Sequence, residues 1–248
     1  MSRVFLIDSA FAHHPHSVSL GYAQFSLPAY AHVWQRVSLA TLYNATSGTF
    51  ILTDQQLYQY LQQKKSVAPA VLVIAWLLEP EVIQPDIYSL LQTQLYQAHK
   101  GARIDRVWTH DLAYQQQLWH MSPKLRIEWI PNAMTFIAPH QWRRGSSVVS
   151  AEPITTALFS AKHGLPAYEL RHRLFHSIEL HRLVRFQGGI TGQRFADTAQ
   201  ALSCFQFALV VENNCVPGYF SEKLLDCFLL SVVPVIYGDE SEIGRAHV

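Results

Sequence analysis

The chain has 248 residues, 49% of them apolar and 15% charged, with a formal net charge of +1. That is enough apolar material for a large buried core, and the near-neutral balance gives no reason to expect nucleic acid as a partner. The longest apolar runs, such as VLVIAWLL at 71–78, fall far short of the ~20 residues that span a bilayer.

The start, MSRVFLIDSAF, lacks the length and cleavage pattern of a signal peptide. Cys204, Cys215 and Cys227 form no metal-type spacing and cannot all pair. The expectation is a reduced, cytoplasmic protein with no transmembrane segment and at most peripheral membrane association. HHPH at 13–16 lies in a loop-like segment with no cysteine or carboxylate beside it, so no metal is assigned there. His172 and His176 are read as part of a solvated basic helix rather than as ligands.

In chain order, RVFLID (3–8) and TFILT (49–53) read as strands. DQQLYQYLQQKK (54–65) follows as a helix with Asp54 as its cap. AVLVIAWLL (70–78) is a continuous run expected of a strand buried on both faces of a parallel sheet. A helix is expected over 85–101, from Pro85-Asp86 to a stop at Gly101, then a strand RVWTH (106–110), a short helix and a strand LRIEWI (125–130). PNAMTFIAPHQWRRGSS (131–147) breaks this rhythm. A second alternation starts with SVVSAEP (147–153), then a helix at 168–185, a strand around VRFQGG (184–189) and a helix around 196–204. Strand FALVVE, helix SEKLLDCFLL and strand VVPVIYG close it. Alternating strands and helices predict two doubly wound α/β layers, with ligands at the carboxyl ends of the strands.

The chemistry concentrates in FALVVENNCVPGYFSEKLLDCFLLSVVPVIYG, from Phe207 to Gly238. Glu212, Asn213 and Asn214 stand at the carboxyl end of a buried strand, and Pro217-Gly218 turns the chain. Ser221 can cap the next helix, with Leu224, Leu225 and Phe228 expected toward the core. Glu222 and Lys223 fall in its first turn. A helix N-terminus attracts anions. A lysine there opposes the dipole and makes sense if an anion such as a diphosphate is gripped; taken alone, an ordinary helix acid and a solvated lysine serve as well.

The stretch resembles the donor-binding signature of the family 10 glycosyltransferases, the α-1,3/4-fucosyltransferases. It matches at Phe207, Leu209, Glu212, Asn213, Tyr219, Glu222, Lys223, Leu224, Pro234 and Gly238, and departs at Asn214 and Ser221, where the family has Ser and Thr. VVSAEP…AYELRHRL is similar to the segment bearing the diphosphate-contacting arginine, which places that role on Arg171 with Arg173 in reserve. AWLLEPEVIQPDIYSLL and RIDRVWTHD resemble the acceptor side, where a glutamate after a strand is the general base; Glu79 falls there.

The resemblance implies an α/β fold of GT-B type, two Rossmann-like domains facing a cleft, with residues 1–145 on the acceptor side and 146–241 binding the donor. It implies an inverting transfer of L-fucose from GDP-fucose to a hydroxyl of an N-acetylglucosamine-containing glycan, with no cofactor and no essential metal. Glu79 is then the base, Arg171 and Lys223 neutralise the diphosphate, Glu222 binds sugar hydroxyls, and Glu212, Asn213 and Tyr219 complete the donor site. Another nucleotide sugar, or a silent nucleotide- or glycan-binding module, are the alternatives. EIGRAHV (242–248) departs from the family pattern and coincides with one reading frame of a common sequencing adapter. The expectation is a native frame cut near Ser241, leaving the second domain incomplete and its tail non-native.

Overall fold

The computed structural model describes residues 3–8, 34–96, 102–130, 135, 137, 141–142 and 155–239. The histidine run at 13–16, the helix stop at Gly101, the 145/146 boundary, the strand expected at 147–153 and the tail at 242–248 lie outside these residues. The described residues fall into two compact units: one holds those of 3–130 with Pro217–Tyr219, the other those from Thr135 to Asp239 apart from these three.

In the first unit β1 (Val4–Ile7), β2 (Trp34–Arg36), β3 (Ser47–Thr53), β4 (Ala70–Leu77), β5 (Arg106–Thr109) and β6 (Arg126–Trp129) form a parallel sheet in the order β2-β1-β3-β4-β5-β6. The helices are α1 (Leu39–Asn44), α2 (Asp54–Gln63), α3 (Pro85–Tyr96) and α4 (Leu112–Met121). Strand β4 lies between β3 and β5, and its run from Val73 to Leu77 is buried, as its unbroken apolar sequence requires. Leu57, Tyr60 and Leu61 of α2 and Tyr88 and Leu91 of α3 pack with Phe50, Leu52, Val73 and Ala75. Burying each of the Leu, Val and Phe side chains contributes about 1.5–3 kcal/mol. The buried tyrosines keep their hydroxyls satisfied: Tyr60 donates to Arg103 O at 2.7 Å and Tyr88 to Glu79 O at 2.9 Å. The latter bond fixes the main chain where β4 ends.

Asp54 does not cap α2 as expected. It takes a left-handed backbone, φ +50°, and its carboxylate accepts from Thr53 Oγ1 at 3.2 Å and Gln84 Nε2 at 3.3 Å instead of from a helix N–H. Asp111 does cap α4, accepting from Tyr114 N at 2.9 Å.

In the second unit β7 (Thr155–Leu158), β8 (Val184–Gln187), β9 (Phe207–Val211) and β10 (Val233–Tyr237) form a parallel sheet in the order β10-β9-β7-β8. Its helices are α5 (Pro166–Phe175), α6 (Thr198–Leu202) and α7 (Glu222–Leu229). The helix expected to reach residue 185 stops at Phe175, and a 3-10 turn at Leu180–Arg182 leads into β8. Pro234 sits on β10, at the sheet edge among the described residues, where a missing N–H costs least. The sheet grows in both directions from β7, so its switch point lies between β7 and β9. These two strands pair only at Thr155–Phe207 and Thr156–Ala208, which leaves their carboxyl halves apart, at the place where open α/β sheets take ligands.

Candidate functional site

Where β9 ends, Glu212 is completely buried. Its Oε1 accepts from Ser221 N at 3.0 Å and its Oε2 from Ser221 Oγ at 2.6 Å. Gly238 makes room: a Cβ there would lie 3.2 Å from Glu212 Cγ. Ser221 in turn caps α7, its hydroxyl facing Lys223 N at 3.4 Å. Glu212 therefore ties the end of a strand to the start of the following helix, and a buried carboxylate needs such donors.

Lys223 extends Nζ back over this cap, 2.8 Å from Ser221 Oγ, 3.0 Å from Glu222 Oε1 and 3.9 Å from Glu212 Oε2. Burial acts against its charge, but Glu222 and then Glu212 outweigh burial and hold the ammonium above its usual value. Burial likewise acts to raise the Glu222 carboxyl, and Lys223 and Arg171 outweigh it, holding the group below the usual carboxylate range. The counter-charge expected from a diphosphate is thus already present within the chain. Lysine and carboxylate stay ionised together at neutral pH.

Arg171 of α5 is buried while Arg173 is exposed, which separates the first choice from the reserve. The Arg171 guanidinium donates to Val211 O and to Asn213 Oδ1, the latter at 2.8 Å, and lies over the Tyr168 ring at 5.1 Å. Five of the expected donor-site residues, Arg171, Glu212, Asn213, Glu222 and Lys223, therefore gather at the carboxyl end of β9. Beside them a cavity of about 130 Å³, lined by Phe159, Leu202, Val211, Glu222, Lys223 and Asp226 among others, follows the parting of β7 and β9. Typical ligand pockets run from about 300 Å³, so this one has room for a part of a nucleotide sugar, not for the whole.

The other two expected residues meet in the first unit. Tyr219 is buried, and its hydroxyl donates to Glu79 Oε2 at 3.4 Å. Its ring rests on that of His110, centroids 5.1 Å apart. Gly218, φ +83°, approaches so closely that a Cβ would lie 3.2 Å from both His110 O and Trp129 Nε1, so a tight turn at this point needs glycine.

No protein-family model and no curated protein matches the chain. Among solved structures it is similar to the crystal structure of an alpha1,3-fucosyltransferase with GDP-fucose. The TM-score is 0.46 and the identity 11%, over 97% of this chain and 69% of that one.

One correction concerns α7. Phe228, expected in the core, is 44% exposed. Asp226 takes an inward position instead and accepts from Thr135 Oγ1 at 2.6 Å. The inward face runs through Leu224, Asp226 and Cys227, because a hydrogen-bonded carboxylate can be buried where the apolar pattern calls for none. Of the tryptophans in the first unit, Trp76 and Trp108 are buried while Trp119 is 46% exposed. His110 was not singled out from the sequence, although its place directly after β5 was a usable signal. Among the described residues no three His, Cys, Asp or Glu side chains cluster as metal ligands, and no helix is long and apolar enough to cross a membrane.

Proposed function

We propose that this chain is an inverting glycosyltransferase of GT-B type that moves L-fucose from GDP-fucose to a hydroxyl of an N-acetylglucosamine-containing glycan. The observation that carries the reading is the assembly of Arg171, Asn213, Glu212, Glu222 and Lys223 at one strand end, four of them within the stretch that resembles the donor-binding signature and Arg171 reaching it from α5. In this reading the Glu79 carboxylate takes the proton of the acceptor hydroxyl. The acceptor oxygen forms its bond to the anomeric carbon as the bond from that carbon to the diphosphate oxygen breaks, and the electron pair leaves with GDP. Arg171 and Lys223 stabilise the charge that grows on the leaving diphosphate. Lys223 exchanges Glu222 for phosphate, and the freed Glu222 carboxylate accepts hydrogen bonds from sugar hydroxyls. Two cations placed in this way make a metal unnecessary.

Thermal melts with GDP, UDP or ADP, with and without EDTA, test the donor site. A GDP-selective rise in Tm that survives EDTA and vanishes in Lys223→Ala is the expected result. Equal response to UDP points to another nucleotide sugar, and indifference to all three defeats the reading. One observation favours a second reading, a catalytically silent binding module: Lys223 and Arg171 both already donate hydrogen bonds to groups of the chain. GDP release from GDP-fucose in the presence of acceptor separates the two.

A further inference from the structure

His110 is wholly buried at the carboxyl end of β5. Its Nδ1 lies 3.1 Å from Leu77 O, where β4 ends. A carbonyl oxygen only accepts, so Nδ1 carries the proton and Nε2 is bare. Among the described residues Nε2 has no hydrogen-bond partner. Protonating it would bury an N–H with no acceptor. Burial accordingly pushes the imidazole below its usual value, with the Leu77 bond and Asp111 pulling the other way. The residue is a neutral, single-tautomer ring bolted to the neighbouring strand.

That ring is the seat on which Tyr219 rests, and the His110 carbonyl is the surface that Gly218 abuts while it accepts from Trp129 Nε1 at 2.8 Å. Tyr219 in turn reaches Glu79 Oε2. The Glu79 main chain is held separately by Tyr88, so the orientation of its side chain depends on groups such as Tyr219. A phenylalanine at 110 would fill the same space without a bare nitrogen; what it lacks is the anchor to Leu77 O.

We propose that His110 is a positioning residue that seats Tyr219 and, through the tyrosine hydroxyl, orients the Glu79 carboxylate. Its meaning for turnover rests on the transferase reading above; the coupling of the three side chains does not.

The test uses the full chain with 13C-labelled glutamate carboxyls, the Glu79 signal being assigned with Glu79→Gln. Tyr219→Phe removes a donor to the carboxylate and should raise its titration midpoint by about half a unit. His110→Asn keeps a donor for Leu77 O but loses the ring; His110→Phe keeps a ring but loses the anchor. Both should raise the midpoint in the same direction, and His110→Asn combined with Tyr219→Phe should add nothing further. With GDP-fucose and N-acetyllactosamine, the acid limb of kcat should move by the same amount while KM for GDP-fucose stays put. A histidine that merely fills space would lower Tm and leave the Glu79 midpoint alone. That result, or additive shifts in the double variant, overturns the proposal. Coupled midpoints without any GDP release from the wild type would sink the transferase reading and leave the positioning role standing. Turnover with uncoupled midpoints would do the reverse. Should His110→Phe not fold, His110→Asn decides, since it preserves the bond to β4.

Discussion

Glu212 accepts both of the hydrogen bonds that Ser221 can donate, at 3.0 Å from its amide and 2.6 Å from its hydroxyl. The carboxylate has no exposed surface, so these bonds, with Lys223 at 3.9 Å, are what make its burial tolerable. Ser221→Ala leaves a charged oxygen short of a donor and should cost about 2–3 kcal/mol in urea unfolding. Ser221→Thr keeps the hydroxyl and should stay within about 0.5 kcal/mol of the parent. Equal stability of the Ala and Thr variants would show that the cap contributes nothing.

Glu222 and Lys223 give stability an acid limb and an alkaline limb. Glu222 has its carboxyl held low, against burial, by Lys223 and Arg171. Its contribution is therefore present above the ordinary glutamate value of about 4.3 and lost as pH falls through the lower folded value. Lys223 has its ammonium held high, against burial, by Glu222 and Glu212. Its contribution is complete below about 10.4 and lost as pH rises through the higher folded value. Tm measured against pH should lose its acid limb selectively in Glu222→Gln and its alkaline limb in Lys223→Met.

The three cysteines should be distinguishable by rate. Cys204 and Cys215 are exposed and Cys227 is buried, all as free thiols. Burial pushes the Cys227 thiol up to about 12, with Asp226 adding to it, and pushes Cys215 up as well. With a thiol reagent at pH 8 the native chain should titrate Cys204 first, Cys215 more slowly and Cys227 only after denaturation. Rapid labelling of Cys227 in the native state would contradict its place in the core beside Leu230 and Val232.

Strand β10 exposes Val233, Val235 and Tyr237 at 54%, 50% and 52%, and Phe228 of α7 adds 44%. An apolar strand of this kind, at the sheet edge among the described residues, invites pairing with another chain. Light scattering should show self-association that grows with concentration, and Val235→Lys should reduce it without lowering Tm. Monodisperse behaviour of the parent chain at high concentration would count against this.

Much of the fold was legible because its signals are local. The unbroken, β-branched run of β4 reads as a strand covered on both faces, and Pro85-Asp86 marks a helix start by its own chemistry. Trp34–Arg36 and Leu39–Asn44 were not legible: three residues of strand and six of helix are too short to display a period. The residues of the candidate site were identifiable by their place in one motif and at strand ends. Their partners were not. That Glu212 comes within reach of Lys223, that Arg171 takes Asn213, and that Thr135 draws Asp226 inward are matters of folded distance between residues that are not neighbours in the chain. The same holds for His110, whose significance lies in a carbonyl on the next strand and a tyrosine from the far end of the sequence.

The close approach of Gly238 to the stem of Glu212 reaches into how the chain tolerates change. A methyl group at 238 has no free space of its own; it displaces the carboxylate, and the displacement is felt as a loosened serine at the head of α7. Shortening Glu212 to aspartate keeps the crowded Cβ and Cγ while it withdraws the oxygens from Ser221. In a library of random variants, positions 212, 221 and 238 should therefore behave as one locus, where what is permitted at any one is dictated by the other two.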